Sequence, residues 1–163
     1  EEVARRRGAR IYGEIAGYGA TSDSADMVQP NADGVARAIR AALVEAGHPT
    51  IDYINPHATS TPSGDVAELD AIRTVFGEDI PTISATKGLT GHSIAAISAQ
   101  EAIFCLLMMR DSFVAASANL VNADDGYDQM PIARMTAKRE FASALSTSIG
   151  FGGTNAAIVF RRI

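Results

Sequence analysis

Short apolar runs and longer amphipathic ones alternate along the chain. Ile51–Ile54 is dense in β-branched and aromatic residues and reads as a buried strand. Ile11–Tyr18 alternates large and small residues and reads as another, with Gly13, Gly17 and Gly19 allowing close backbone approach. Pro81–Ser84 is a third. Between them the apolar spacing changes to three and four. Val35, Ile39, Ala42, Leu43 and Ala46 share one face of a helix predicted from a cap at Asn31 or Asp33 to Ala46, with Gly47 as its stop. Val66, Leu69, Ile72 and Phe76 form the core face of a second, Thr61–Phe76, whose Glu68, Asp70 and Arg73 are read as solvated. A third, Ser93–Met109, is apolar nearly all round and is expected to be covered on most sides. Two strands close the pattern, Ala142–Gly150 and Ala156–Phe160, joined by a glycine-rich turn with Phe151 at its tip.

Strand and helix three times, then a hairpin, implies a layered α/β sheet with helical crossovers and the hairpin as an antiparallel edge. Phe113–Leu120 reads as extended and small in residue size, and Asn122–Asp128 as an exposed acidic loop. Composition adds limits. With 47% hydrophobic and 20% charged residues, the 163-residue chain reads as one ordinary globular domain. A net charge of −5 argues against a nucleic-acid surface and gives no attraction to a membrane. The longest apolar run, Ala102–Met109, is too short to span a bilayer. Cys105 is the single cysteine, which excludes an internal disulfide and suits a reducing, cytoplasmic setting. It lies among Phe104, Leu106 and Leu107 and reads as a core residue rather than a nucleophile. The opening, EEVARRRGAR, resembles the last turns of a helix closed by Gly8, so the chain reads as a fragment of a longer protein.

Chemistry gathers at the strand ends. Asn55-Pro56 stops the second strand, because proline cannot continue a central one, and His57, Thr59, Ser60 and Thr61 follow at once. Thr61-Pro62 reads as a helix start. Ligands bind at such carboxyl ends in open α/β sheets. By itself the stretch serves equally as a loop histidine beside a capping cluster. The third strand runs into Ser84, Thr86, Lys87 and then His92. Glu101 is a lone carboxylate in an apolar helix and needs a partner or a wet edge. Lys87 is the nearest partner in sequence; solvent is the alternative. A polar loop, Thr21–Pro30, carries Asp23, Asp26 and Met27.

The motifs HATSTP (57–62 with its histidine first), ATKGLTGHS (85–93) and GFGGTN (150–155), in this order and spacing, resemble the C-terminal half of β-ketoacyl-acyl carrier protein synthases, and look closest to the type I elongating enzyme. The flanking DYINPH, GDVAELDAIRTVFG and AQEAI are similar to the same family. The resemblance implies that residues 1–163 are a ketosynthase C-terminal domain. Its fold would be one half of a thiolase-like fold, a mixed five-stranded sheet with helices packed on its faces. The other half, with the nucleophilic cysteine, would precede Glu1.

The implied reaction is decarboxylative Claisen condensation of malonyl-carrier protein with an acyl-enzyme thioester, the chain-elongating step of fatty-acid synthesis. By matched motif, His57 and His92 are the active-site histidines, Lys87 the active-site lysine and Glu101 its buried carboxylate partner. Thr59 and Thr61 match hydroxyls that hold the phosphopantetheine arm, and Met27 is taken with them as substrate-binding. The Phe151 amide matches an oxyanion-hole donor and its ring a gate over the acyl pocket. No metal and no covalently bound cofactor is implied; phosphopantetheine arrives as the substrate's carrier. The implied partners are acyl carrier protein, malonyl and acyl thioesters, and a second subunit in a homodimer. Ala58, Ala95 and Ile149 depart from the family's usual glycine, glycine and phenylalanine, and at positive φ Ala58 would cost about 1 kcal/mol or more. The alternative is a non-catalytic, chain-length-factor-like subunit of a polyketide-type synthase.

Overall fold

A computed structural model describes residues 1–23 and 26–163. In chain order its first elements are α1 (Glu2–Arg6), β1 (Glu14–Ser22), α2 (Ala32–Glu45), β2 (Tyr53–Asn55), α3 (Pro62–Phe76) and β3 (Thr82–Ile83). Then come α4 (Lys87–Thr90), a 3-10 turn at Ile94–Ala96, α5 (Ile97–Asp111), β4 (Phe113–Val114), β5 (Ala137–Lys138), β6 (Ser143–Gly150) and β7 (Thr154–Arg161).

Five strands form one sheet in the order β1-β7-β6-β2-β3, and β4 pairs with β5 separately. β2 is parallel to β3 and β6, whereas β7 is antiparallel to both β6 and β1. So β1, β2, β3 and β6 all end on one edge of the sheet. The closing hairpin is antiparallel as expected, but it occupies the centre of the sheet rather than an edge. The reason lies in β7 itself: Ala157 and Val159 join one core, while Ile158 and Phe160 pack into the other. A strand apolar on both faces belongs inside a sheet, covered above and below.

Alternation sets the layers. Ile54, Leu145 and Val159 face α2 and α3, burying Val35, Ile39, Ala42, Ala71 and Ile72. Tyr53, Ala144 and Phe160 face α5, against Cys105, Met108 and Met109. On the first face α2 rides almost on the backbone of β1: a Cβ on Gly17 would lie 2.2 Å from the Ala42 carbonyl oxygen, and one on Gly19 would lie 2.1 Å from that of Ala38. Any side chain at either position would push the helix off the sheet.

Most boundaries follow the pattern. Asn31 caps α2 by accepting the Asp33 N–H at 2.9 Å, and Thr61-Pro62 opens α3. Other expectations change. The first strand runs Glu14–Ser22 rather than Ile11–Tyr18. The stretch after β3 is not a plain loop but the single turn α4. The following helix starts at Ile97 rather than Ser93, because Ile94 sits at φ 55° and its N–H turns back to His92. Helix α5 buries a stripe, Ile97, Glu101, Cys105, Met108 and Met109, and leaves Ile103 exposed, so in this chain it is not covered all round. The acidic loop is exposed except for Tyr127, which is buried against α3 and donates its hydroxyl to Asp70 at 2.8 Å.

Candidate active site

Two residues beyond the end of β2, the half-buried His57 meets His92, which follows α4. Their ring centroids are 5.3 Å apart and the planes cross at 85°, one imidazole edge-on to the other. His92 Nδ1 accepts the Ile94 N–H at 2.9 Å, so its neutral ring carries the proton on Nε2. Burial, then the nearby charges of Lys87 and His92, push the pKa of His57 down to about 4. At neutral pH His57 is therefore an uncharged N–H donor. Its Nδ1 is buried and meets no hydrogen-bonding partner among the described residues.

Behind the imidazoles lies an ion pair. Lys87 Nζ donates to Glu101 Oε1 at 2.5 Å, with the two side chains 5% and 0% exposed. The partnership proposed by sequence order is the one formed, and Glu101 is not at a wet edge. Burial raises the Glu101 pKa to about 7 even though Lys87 pulls it down. Beneath them, the buried Tyr53 hydroxyl donates to the Ser84 carbonyl at 2.9 Å, and Asn55 Nδ2 reaches the same oxygen at 3.3 Å. This network joins the ends of β2 and β3.

Glu68, expected on the solvated face, is 2% exposed and holds the histidine loop. One carboxylate oxygen accepts the His57 N–H at 2.8 Å and the Thr147 hydroxyl at 2.6 Å, and the other accepts the Ala58 N–H at 2.8 Å. Three donors satisfy a group whose burial raises its pKa. The signal was present in the spacing, since Glu68 precedes the buried Ala71 and Ile72 by three and four residues and so shares their helix face. Ala58, clamped by this carboxylate, takes φ 34° and Ser60 takes φ 61°. The strain foreseen for an alanine at position 58 is therefore present beside the site.

The Thr61 hydroxyl does not cap α3. Asp65 holds the turn leading into the helix, accepting the Ser60 N–H at 3.0 Å and the Thr61 N–H at 3.3 Å. Thr61 Oγ1 instead lies 3.4 Å from Thr59 Oγ1, which pairs the two hydroxyls on the rim. Phe151 lies in the β6–β7 turn and Met27 in the loop after β1. Both side chains are exposed, and the Gly152 N–H donates to the Met27 carbonyl at 2.9 Å, joining the β6–β7 turn to the loop after β1. Cys105 is fully buried, its thiol pushed up by burial and by Glu101, so it is a poor nucleophile. Among the described residues no group of three or more His, Cys, Asp or Glu could hold a metal ion, and no helix is long and apolar enough to cross a membrane.

The model of the β-ketoacyl synthase C-terminal domain matches residues 12–121. Over 162 residues the chain is 51% identical to 3-oxoacyl-(acyl-carrier-protein) synthase 1 of Escherichia coli (strain K12), covering 99% of this chain and 40% of that protein. It is 42% identical to the mitochondrial 3-oxoacyl-(acyl-carrier-protein) synthase of Arabidopsis thaliana, covering 99% of this chain and 37% of that one. Among solved structures, a β-ketoacyl synthase from Burkholderia phymatum STM815 superposes with a TM-score of 0.95 at 38% identity, over 100% of this chain and 40% of that one. A type II polyketide synthase carrier protein in complex with its ketosynthase superposes with a TM-score of 0.93 at 34% identity, over 99% of this chain and 41% of that one. The chain thus spans about two fifths of the synthases it matches, and its sheet and flanking helices are one half of a thiolase-like fold. On this match, the chain belongs to the β-ketoacyl synthase C-terminal domain family.

Proposed function

We propose that this chain supplies the two-histidine and lysine side of a fatty-acid-elongating condensation site, while the cysteine that carries the acyl chain comes from the part of the enzyme outside these residues. One observation carries the reading: two imidazoles, edge to face, with a buried Lys87–Glu101 pair behind them. The malonyl thioester oxygen accepts one N–H from His57 and one from His92. The bond from its α-carbon to the carboxylate then breaks, carbon dioxide leaves, and the electron pair moves into an enolate whose oxygen both imidazoles hold. Donors aimed at charge that develops only on reaction are the strong ones; losing one costs roughly 3 kcal/mol of barrier. The enolate carbon attacks the acyl thioester carbonyl, the Phe151 amide receives the oxyanion, and collapse expels the cysteine thiolate. Lys87 keeps a positive charge beside the imidazoles and favours their neutral form.

The paired hydroxyls of Thr59 and Thr61 bind the phosphopantetheine arm delivered by acyl carrier protein, and Met27 contributes to the substrate channel with Phe151. The enzyme is a cytoplasmic homodimer with neither nucleic-acid nor membrane partners. Relatives named as 3-oxoacyl-(acyl-carrier-protein) synthases support this reading, and a chain-length-factor-like role is not favoured by a chain that keeps both histidines and the lysine. The test uses the full-length enzyme and separates two half-reactions. His57→Ala or His92→Ala abolishes carbon dioxide release from malonyl-carrier protein and leaves acyl transfer to the cysteine intact. Equal loss of cysteine acylation in both variants overturns the assignment.

A further inference from the structure

Helix α4 carries Lys87 but is a single turn of four residues, and so short a helix does not hold itself. What holds it is the strap that leaves β4. Ser84 donates its hydroxyl to the Ala115 carbonyl at 2.5 Å, and the Ala85 N–H donates to the Ser117 hydroxyl at 3.0 Å. The Ala118 carbonyl oxygen lies where a side chain on Gly88 would begin, 2.4 Å from the Cβ position. Asn119 then donates its side-chain amide to the Gly88 carbonyl at 2.9 Å. Strap and lysine turn run side by side through four successive contacts, 84 to 88 against 115 to 119. Asn119 is the last of these and the only one made by a side chain to the turn itself. It sits at φ 67°, a left-handed backbone that asparagine tolerates.

We infer that Asn119 is a positioning residue for Lys87: its amide locks the strap onto α4 and so fixes where the ammonium stands relative to Glu101 and the two imidazoles. The inference rests on the role given to Lys87 above. Its reach is electrostatic. The groups facing His57 are Lys87 from α4, His92 from the turn beyond it and Glu68 from α3 beneath its backbone, with the neutral Thr147 on β6. Of these, Lys87 stands on the four-residue turn that the strap contacts directly. Moving its charge away lets His57 take a proton more easily, which raises the pH below which the site is poisoned.

The experiment uses the full-length enzyme. Asn119→Gly keeps the left-handed backbone and removes the donor; Asn119→Asp keeps the shape and replaces the donor with an acceptor. Two quantities are read: hydrogen exchange of the Leu89, Thr90 and Gly91 amides, which close α4 onto Thr86 and Lys87, and the acid limb of malonyl decarboxylation. Both variants are expected to raise exchange at these amides by about 10-fold, as local opening becomes easier, and to move the acid limb to higher pH, as Lys87→Met does. Acyl transfer to the cysteine stays unchanged. Wild-type protection in Asn119→Gly overturns the inference. So does lost protection with an unmoved acid limb, provided Lys87→Met itself moves it. If Lys87→Met leaves the limb in place, the role of Lys87 fails, and the exchange result alone decides whether Asn119 positions it.

Discussion

Breaking the Lys87–Glu101 pair from either side should give unequal costs, and the inequality follows from the geometry. At 2.5 Å and an effective dielectric near 20, the attraction is roughly 7 kcal/mol. Taking both ions out of water costs several kcal/mol each, so the pair adds little net stability compared with two well-packed neutral residues. What matters is the orphan left behind. Glu101→Gln strands an ammonium that is 5% exposed, and an uncompensated buried charge costs about 3–5 kcal/mol. Lys87→Met strands a carboxyl that already titrates at about 7 with its partner present. Without Lys87 it takes a proton and becomes neutral, so only a charge-assisted hydrogen bond is lost, about 1–3 kcal/mol. The double variant has no buried charge and should lose no more than Lys87→Met alone. Denaturation of the four proteins gives the cycle. A coupling of at least ~2 kcal/mol, with Glu101→Gln the costlier single change, is the expected result. Costs that add to within ~0.5 kcal/mol would refute the reasoning, since additivity is the mark of independent sites.

Glu68→Gln keeps the shape of the carboxylate but turns one acceptor into a donor that faces an N–H. It should cost ~1–3 kcal/mol of stability and lower decarboxylation more than acyl transfer, measured by melting and by the two half-reactions; an unchanged ratio of the two rates would show that the loop does not need the clamp. Two of the perturbed groups, His57 and Glu101, make opposite contributions to stability against pH. His57, lowered from 6.5 to about 4, is protonated in the unfolded chain before it is protonated in the folded one, so its contribution is complete above pH 6.5 and is lost as pH falls toward 4. Glu101, raised from 4.5 to about 7, does the reverse: stability falls as pH rises through that window. Relative to the unaltered protein, His57→Ala should therefore tilt the profile toward a decline from acid to neutral pH, and Glu101→Gln toward a rise, as read from denaturant midpoints at successive pH values.

How much of this was legible depends on how local each signal is. The end of β2 was readable because proline cannot donate to a ladder and because Thr61-Pro62 announces a helix within a few residues. Lys87–Glu101 was readable because an isolated carboxylate in an apolar helix allows few solutions. The placement of the hairpin was not, because it depends on which strand β7 meets beyond its own turn. Its double-sided apolar pattern is the clue to a central place, and a strand at the end of the chain suits a terminal pair equally well. The single turn α4 was hidden for a related reason: its four residues carry too little propensity to declare a helix, and the contacts that make one come from 115–119, some thirty residues later.

Glu68 is the most instructive failure. Charged residues on an amphipathic helix are solvated by default, and its neighbours Asp70 and Arg73 are indeed only partly covered. Position on the wheel argued otherwise, since Glu68 shares a face with Ala71 and Ile72. The two rules conflict, and the conflict is decided by what lies opposite. Here it is the histidine loop, whose N–H groups point inward with no strand to receive them. A loop that leaves a buried strand end must find acceptors for its amides, because an unpaired buried N–H costs as much as a lost hydrogen bond. The carboxylate on the facing helix supplies them, and it holds Ala58 at positive φ in doing so. The same arrangement therefore satisfies the backbone, strains one residue and sets the imidazole in place, so a buried acid one helix away is the counterpart to seek wherever a histidine loop follows an Asn-Pro strand stop.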